Sequence, residues 1–472
     1  MKLMLFRAAL AASAVLCLPC AVTATDLTEI YHRALRSDPQ LREAEANRSA
    51  ALEVRPQALG ALLPQLSATG GYVHDEADSQ FTYLGGGAPQ SARSTTKGNN
   101  TQWALQLTQT VFRWDQFATL RQASAQVAQA EVDFRAAQQS VILRTAQAYF
   151  NVLAARDTLD AAEASREAIG RQLEQADKRF EVGLIAITDV EEARAAADQA
   201  TATVIASKRT LATSRDQLRE LTGDSFDELA RPGDDMPLIA PDPASEDQWV
   251  KAALEQNLSL SSARIGADIA REAVSVARGK HLPTLDIVAS QSGSETSSRA
   301  DYTFPNPNAP PVNLYSANNP NDSSSHDKRI GLQLTVPIYA GGATNARVSE
   351  AVYRHRAARE RLERNARATE RGTRDAYLGV ISEISRVTAL KQALASSHTA
   401  LTATEAGYEV GTRTAVDVLL ARQRLFDAQT NYARSRYDYV LNVLTLEQQA
   451  GTLDESRLTR VNGWLGQAVS VK

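Results

Sequence analysis

The sequence is poor in cysteine, and the two it has, Cys17 and Cys20, lie within its first 20 residues. Everything downstream must hold together without disulfides. Long apolar runs are also missing. No stretch after Leu18 reaches the roughly 20 apolar residues that a membrane helix needs. Any membrane crossing is therefore left to β-strands. An excess of positive charge is missing as well. Without Lys2 and Arg7, the 51 basic residues fall to 49 against 55 acidic ones, a net charge of −6. That balance argues against nucleic acid as a partner. The six histidines are scattered with no ligand spacing, so no metal or other cofactor is assigned. No nucleophile–base pair, redox pair or phosphate loop is apparent. The Gly85-Gly86-Gly87 cluster lies outside a strand–helix junction, where a nucleotide site would require it. An enzyme is not expected.

What the chain does have begins with an export leader. Lys2 and Arg7 precede the apolar stretch Leu3 to Leu18, and Val22-Thr23-Ala24 supplies small residues for cleavage after Ala24. Lipid attachment at Cys17 or Cys20 is disfavoured, because Leu16 and Pro19 stand where small residues belong.

The remainder is written twice. Arg179-Phe180-Glu181-Val182-Gly183 and Thr188-Asp189-Val190 return 228 residues later as Gly407-Tyr408-Glu409-Val410-Gly411 and Val416-Asp417-Val418. Leu105 to Thr108 returns as Leu332 to Thr335, Ala148-Tyr149 as Ala376-Tyr377, and Leu62-Leu63-Pro64 as His281-Leu282-Pro283. The period is far beyond that of a solenoid repeat. One structural unit has been duplicated and fused. We place the leader at 1–24, the first repeat at 25–240, the second at 241–453 and a C-terminal tail at 454–472.

Each repeat reads as helix, two strands and a long helical hairpin. Leu66 to Tyr72 and Trp103 to Val111 alternate apolar and polar residues, as do Leu285 to Ala289 and Ile330 to Ile338; a period of two marks strands with one apolar face. The polar stretches between them, rich in Gly, Asn and Pro, read as long loops. Leu120, Val127, Phe134, Val141, Ala148, Ala155, Ala162, Ile169 and Ala176 are nine apolar residues spaced seven apart. A seven-residue period held this long imposes a left-handed supercoil. The helix over Arg113 to Phe180 would be about 100 Å long. Thr188 is the expected N-cap of the next helix, which ends at Gly223; residues 224–245 read as a connector. In the second repeat a helix spans Thr344 to Glu405, and the last helix stops at Gly451. The fold class is thus an α+β membrane protein built from a duplicated strand-hairpin and helical-hairpin unit. Four strands do not close a barrel, so several copies must pool them; three copies give twelve. Trp103, Tyr72, Tyr83, Phe81, Tyr339 and Phe112 are candidates for an interfacial aromatic belt.

At this point the chain resembles the TolC family of outer-membrane efflux and secretion ducts. The resemblance rests on the leader, the duplicated plan and the two tips, Arg179 to Val190 and Tyr408 to Leu419. It implies a homotrimer with a twelve-stranded barrel in outer-membrane lipid and a long α-helical periplasmic tunnel. It implies docking to a periplasmic adaptor protein and an inner-membrane transporter of the ABC or RND type. By the same resemblance Thr188, Asp189, Tyr408 and Arg413 form a gate latch, and Gly183, Leu184, Gly411 and Thr412 form the adaptor-contact tips. The resemblance likewise makes Asp417 the expected pore acidic ring. The family pattern carries a second acidic residue three positions on, where this chain has Leu420, so one ring is expected. The residues themselves leave other readings open. Asp189 and Asp417 also suit the first turn of any helix, and Arg413 also suits a solvated surface. An exported coiled-coil stalk without a pore would explain the heptads, though not the half-polar strands.

Overall fold

A computed structural model describes residues 25–85, 88–233, 235–305 and 314–471. The expected leader lies outside the described residues, as do Gly86, Gly87, Pro307, Pro310 and Pro311. Three short helices come first: α1 (Leu27–Ser37), α2 (Pro39–Leu52) and α3 (Val54–Gly60). A strand hairpin follows, β1 (Gln65–Gly85) and β2 (Ala88–Phe112), then a helical hairpin, α4 (Trp114–Glu181) and α5 (Ile187–Thr222). After the short strand β3 (Glu228–Pro232) the order repeats as α6 (Glu246–Gln256), α7 (Leu258–Gly279), β4 (Thr284–Pro305), β5 (Leu314–Thr335), α8 (Ala343–Glu409) and α9 (Ala415–Ala450). Helix α10 (Glu455–Asn462) and strand β6 (Leu465–Ser470) complete the chain. The two long helices hold 68 and 67 residues, and α5 and α9 hold 36 each. The contacts divide the chain into two compact units, and each draws segments from both repeats.

One unit, residues 42–137 and 254–370, contains an antiparallel sheet in the order β1-β2-β4-β5. The strands are much longer than their alternating cores. Pairing runs without a break from Gln65↔Thr108 to Gly85↔Ala88, so most of what reads as loop over 73–102 is strand. The same holds from Thr284↔Thr335 to Pro305↔Leu314. Apart from a few aromatic residues near their outer ends, these segments are polar on both faces and carry too little hydrophobic alternation to read. At its other end β5 stops at Thr335, before Pro337, which has no N–H to donate.

The register sorts the side chains. Leu66 sits opposite Leu107, Ala68 opposite Leu105, and Leu285, Ile287 and Ala289 opposite Leu334, Leu332 and Ile330. These positions share one face and form an apolar band. Trp103 on this face lies across Gly293, where an added Cβ would come within 2.6 Å of the indole nitrogen. Tyr72 shares that face and donates to Asn99 Oδ1 at 2.8 Å. The opposite face carries the row Ser67, Gln106, Ser290 and Arg329. Phe81 and Tyr83 correct the belt assignment: counting residues along β1 places them on the polar face.

The sheet is pinned at its base. Asp286 is almost fully buried, and Arg113 donates to it from Nε at 3.2 Å and from a terminal nitrogen at 2.9 Å. In the same unit Arg48 of α2 bonds Glu131 of α4 at 2.6 Å, so a short helix lies beside the long one.

The other unit holds residues 138–253 and 371–472 together with the first 41. Here the heptad positions Val141, Ala148, Ala155, Ala162, Ile169 and Ala176 are all buried. Val190, Val204, Leu211 and Leu218 of α5 are buried too, as are Val380, Val387 and Leu401 of α8. Gly223 and Gly451 close α5 and α9 in the left-handed region, as expected from their positions. Asp38, at the break between α1 and α2, is buried and paired with Arg144. The stretches expected as connector and tail are structured. β3, within residues 224–245, pairs antiparallel with β6, within 454–472, from Glu228↔Ser470 to Arg231↔Gln467. Tyr149, fully buried in α4, donates its hydroxyl to the carbonyl of Ala230 in β3. Tyr437 donates to Asp157 at 2.6 Å and stacks on Phe150. Burial pushes the Asp157 carboxyl up, partly offset by Tyr437 and nearby arginines.

Arg113→Ala strands a buried carboxylate and is expected to lower stability on the order of 2 kcal/mol. Thermal unfolding of detergent-solubilised protein reads this, and Arg113→Ala with Asp286→Leu should recover most of the loss.

Candidate functional site

The two helical hairpins end in related turns, and these carry the candidate residues. At the first tip Gly183 takes φ 76°, and its N–H donates to Phe180 O at 2.8 Å while Leu184 N donates to Arg179 O at 2.9 Å. At the second, Gly411 takes φ 79°; its N–H donates to Tyr408 O at 3.1 Å, and Thr412 N donates to Gly407 O at 2.8 Å. A residue with a Cβ is strained at this φ, which explains glycine at both tips. The turns thrust apolar side chains outward. Val182, Leu184 and Val410 are each about 70 % exposed.

Below each tip a small apolar cluster closes the hairpin. Ala176, Val190 and Ala193 pack with Leu173 and Ile185 in the first. Leu401, Val418 and Ala421 pack with Tyr408 and Leu425 in the second. The duplicated valines, Val190 and Val418, therefore hold equivalent places.

The helix starts differ. Thr188 is not the N-cap of α5: that place belongs to Ala186, whose side chain caps nothing, and Thr188 lies one residue inside the helix. At the equivalent place α9 has Thr414, whose hydroxyl oxygen accepts from Asp417 N at 3.2 Å. Asp417 returns the bond, accepting from Thr414 N at 2.9 Å and from the Thr414 hydroxyl at 3.0 Å. This capping box satisfies two otherwise unpaired donors. These bonds, with Arg413 nearby, hold the Asp417 carboxyl below the usual carboxylate range.

Among the described residues, no hydrogen bond or ion pair within one chain joins any two of Thr188, Asp189, Tyr408 and Arg413. Asp189 has neither a side-chain hydrogen bond nor an ion pair with another described residue. Arg413 forms no ion pair with another described residue; its side chain leans over Gly407, where an added Cβ would come within 2.8 Å of it. Tyr408 meets a residue not singled out from the sequence: the Arg179 guanidinium lies over its ring, 4.7 Å from the centroid. Its hydroxyl is buried without a partner. Arg179 gave no sequence signal for this contact. Thr414 did give one, since Thr-x-x-Asp ahead of an apolar run is a helix-start signature. The described residues contain no cluster of His, Cys, Asp and Glu able to hold a metal, and no helix among them is long and apolar enough to cross a membrane.

A half-apolar sheet joined to paired heptad helices with glycine tips defines a class of outer-membrane channel proteins. A model of the family described as outer membrane efflux protein matches residues 30–224 and 249–452, and the chain belongs to that family. Outer membrane protein TolC of Escherichia coli (strain K12) is 37 % identical over 448 residues, covering 95 % of this chain and 86 % of the relative. The alkaline protease secretion protein AprF of Pseudomonas aeruginosa is 28 % identical over 448 residues, covering 93 % and 87 %. The crystal structure of the Campylobacter jejuni CmeC outer membrane channel shares the fold, with a TM-score of 0.70 at 18 % identity over 93 % of this chain and 89 % of that one. The protein is thus placed in the outer membrane, as an exit duct with a periplasmic helical extension.

Thr414→Ala should loosen the first turn of α9, with its amides exchanging about fivefold faster, as expected for loss of an N-cap. The Asp417 carboxyl should then titrate nearer its ordinary value of 3.8. Because the folded value is lowered, the cap's contribution is present above the ordinary carboxylate value and is lost as the pH falls through the lower folded one. Exchange rates with the same pH profile in both proteins would contradict the cap.

Proposed function

We propose that three copies of this chain pool their sheets into a twelve-stranded barrel and carry drugs or secreted proteins out of the periplasm as a passive conduit. The single observation behind this reading is the sheet itself. It has an apolar band on one face, polar residues on the other, and two unpaired edges, β1 and β5. Unpaired backbone groups are not tolerated in lipid, and copies of the same sheet are the simplest partners for them. The apolar band then meets lipid and the polar face lines the lumen. The long helices would form the periplasmic tunnel. The relatives named for efflux and for protease secretion support both kinds of cargo. The role calls for an adaptor protein and an inner-membrane ABC or RND-type transporter. The exposed tips around Gly183, Leu184, Gly411 and Thr412 are the surfaces offered to that adaptor.

The gate reading extends this. Among the described residues, Asp189 and Arg413 have no ion-pair partner, and the buried Tyr408 hydroxyl has no hydrogen-bond partner. Asp189 and Arg413 are free to bond between hairpins of neighbouring copies, whereas the Tyr408 hydroxyl must first be uncovered. Each such bond is worth on the order of 1 kcal/mol, weak enough for a docking partner to break. Asp417 would form the acidic ring, with its carboxyl kept ionised by the α9 cap, and Leu420, half exposed one turn on, adds no second charge.

Purified protein should insert into planar bilayers as conducting units. Arg413→Ala should raise the resting conductance, and Asp417→Asn should shift the reversal potential toward lower cation preference. A non-conducting product overturns the conduit, unchanged resting conductance overturns the latch role, and an identical reversal potential overturns the ring.

A further inference from the structure

The polar face of the sheet changes character at its outer end. From Gln65 to Ser79 on β1, and from Thr284 to Ala300 on β4, no aromatic residue takes a position on this face. Small and polar residues fill it, among them Ser67, Thr69, Ser290 and Ser292. Beyond them Phe81 and Tyr83 of β1 and Tyr302 and Phe304 of β4 gather on either side of β2. Tyr83 meets Phe304 edge-on at 5.3 Å, Phe81 meets Tyr302 edge-on at 6.1 Å and Phe304 edge-on at 6.3 Å, and Tyr302 stacks on Phe304 at 6.2 Å. Edge-on and offset-stacked rings attract beyond their burial, so the group holds its shape. Strand β2 makes room with small residues. Ala92, opposite Phe81, is 3 % exposed, and Ser94, opposite Tyr302, is 6 % exposed. The rings are only part-buried and keep free surface above the sheet.

Their height excludes a lipid-anchoring role. The apolar band on the other face ends near Tyr72, and Phe81 lies nine residues further along β1, roughly 30 Å at about 3.3 Å per residue. Interfacial aromatic residues lie at the edge of the apolar band and face lipid; these rings do neither.

We propose that the four rings form an aromatic collar on the pore side of the outer mouth, a constriction that limits the size of what passes between lumen and exterior. The proposal rests on reading the polar face as the pore wall. Three copies place twelve rings around the exit, above walls of serine, threonine and glutamine.

Both cysteines lie before residue 25, so Ser292→Cys gives the exported protein one thiol on the polar face, below the collar. Intact cells are treated from outside with maleimides carrying polymer chains of increasing length. The comparison is between native rings and Phe81→Ser with Phe304→Ser. A small maleimide should label Ser292→Cys in both backgrounds. A longer reagent that reacts slowly past the native rings should react about tenfold faster once they are removed. Equal rates at every length overturn the collar while leaving the pore reading intact. No labelling by the small reagent with native rings shows that this face does not line an open pore, and both readings fall. If only the double variant loses small-reagent labelling, its assembly has failed, and Phe304→Ser alone is read on the same scale.

Discussion

Two rows of unpaired backbone groups, along β1 and along β5, constrain this protein more than any other feature. Each row belongs to a strand of more than 20 residues with an apolar band on one face. Water would satisfy those groups, but water would also meet the band. Lipid would accept the band, but each unsatisfied backbone group there costs several kcal/mol. Closure with further copies satisfies both demands. The polar second face fits the same solution, because a closed ring of such sheets would enclose water.

The helices meet a different requirement, length without a globular core. Residues at seven-residue spacing, from Val141 to Ala176, are buried along α4, and Ala176 packs on Val190 and Ala193 of α5. The Asp157–Tyr437 bond and the β3–β6 pair fasten the unit that holds the tips. At the tips the packing is thin, a few residues around Val190 and Val418. The two helix starts are also unequal. Asp417 is already committed to its own helix through Thr414, whereas Asp189 follows the non-capping Ala186 and keeps its full capacity to accept. A latch that draws on Asp189 therefore costs no existing bond.

Much of the fold is legible in the sequence where local physics decides it. Heptad spacing marks α4, and Gly223 and Gly451 mark helix ends because only a left-handed residue fits there. The strands are legible only across the apolar band, where one face differs from the other. Further out Thr95, Lys97 and Asn99 are as polar as their neighbours, and alternation disappears although the pairing continues. Without the register, Phe81 and Tyr83 look like partners of Tyr72; residue parity puts them on the other face. The union of β3 with β6 joins segments more than 200 residues apart and leaves no local trace. At the site, tip glycines and the valines behind them follow from the repeat. The Arg179–Tyr408 contact does not, since it depends on how two hairpins pack.

A density map of the detergent-extracted protein tests the central claim most directly. The account predicts three copies around one axis, with β1 of each copy hydrogen-bonded to β5 of the next and an open lumen inside twelve strands. Solitary chains, or an assembly in which those edges remain unpaired, would contradict it.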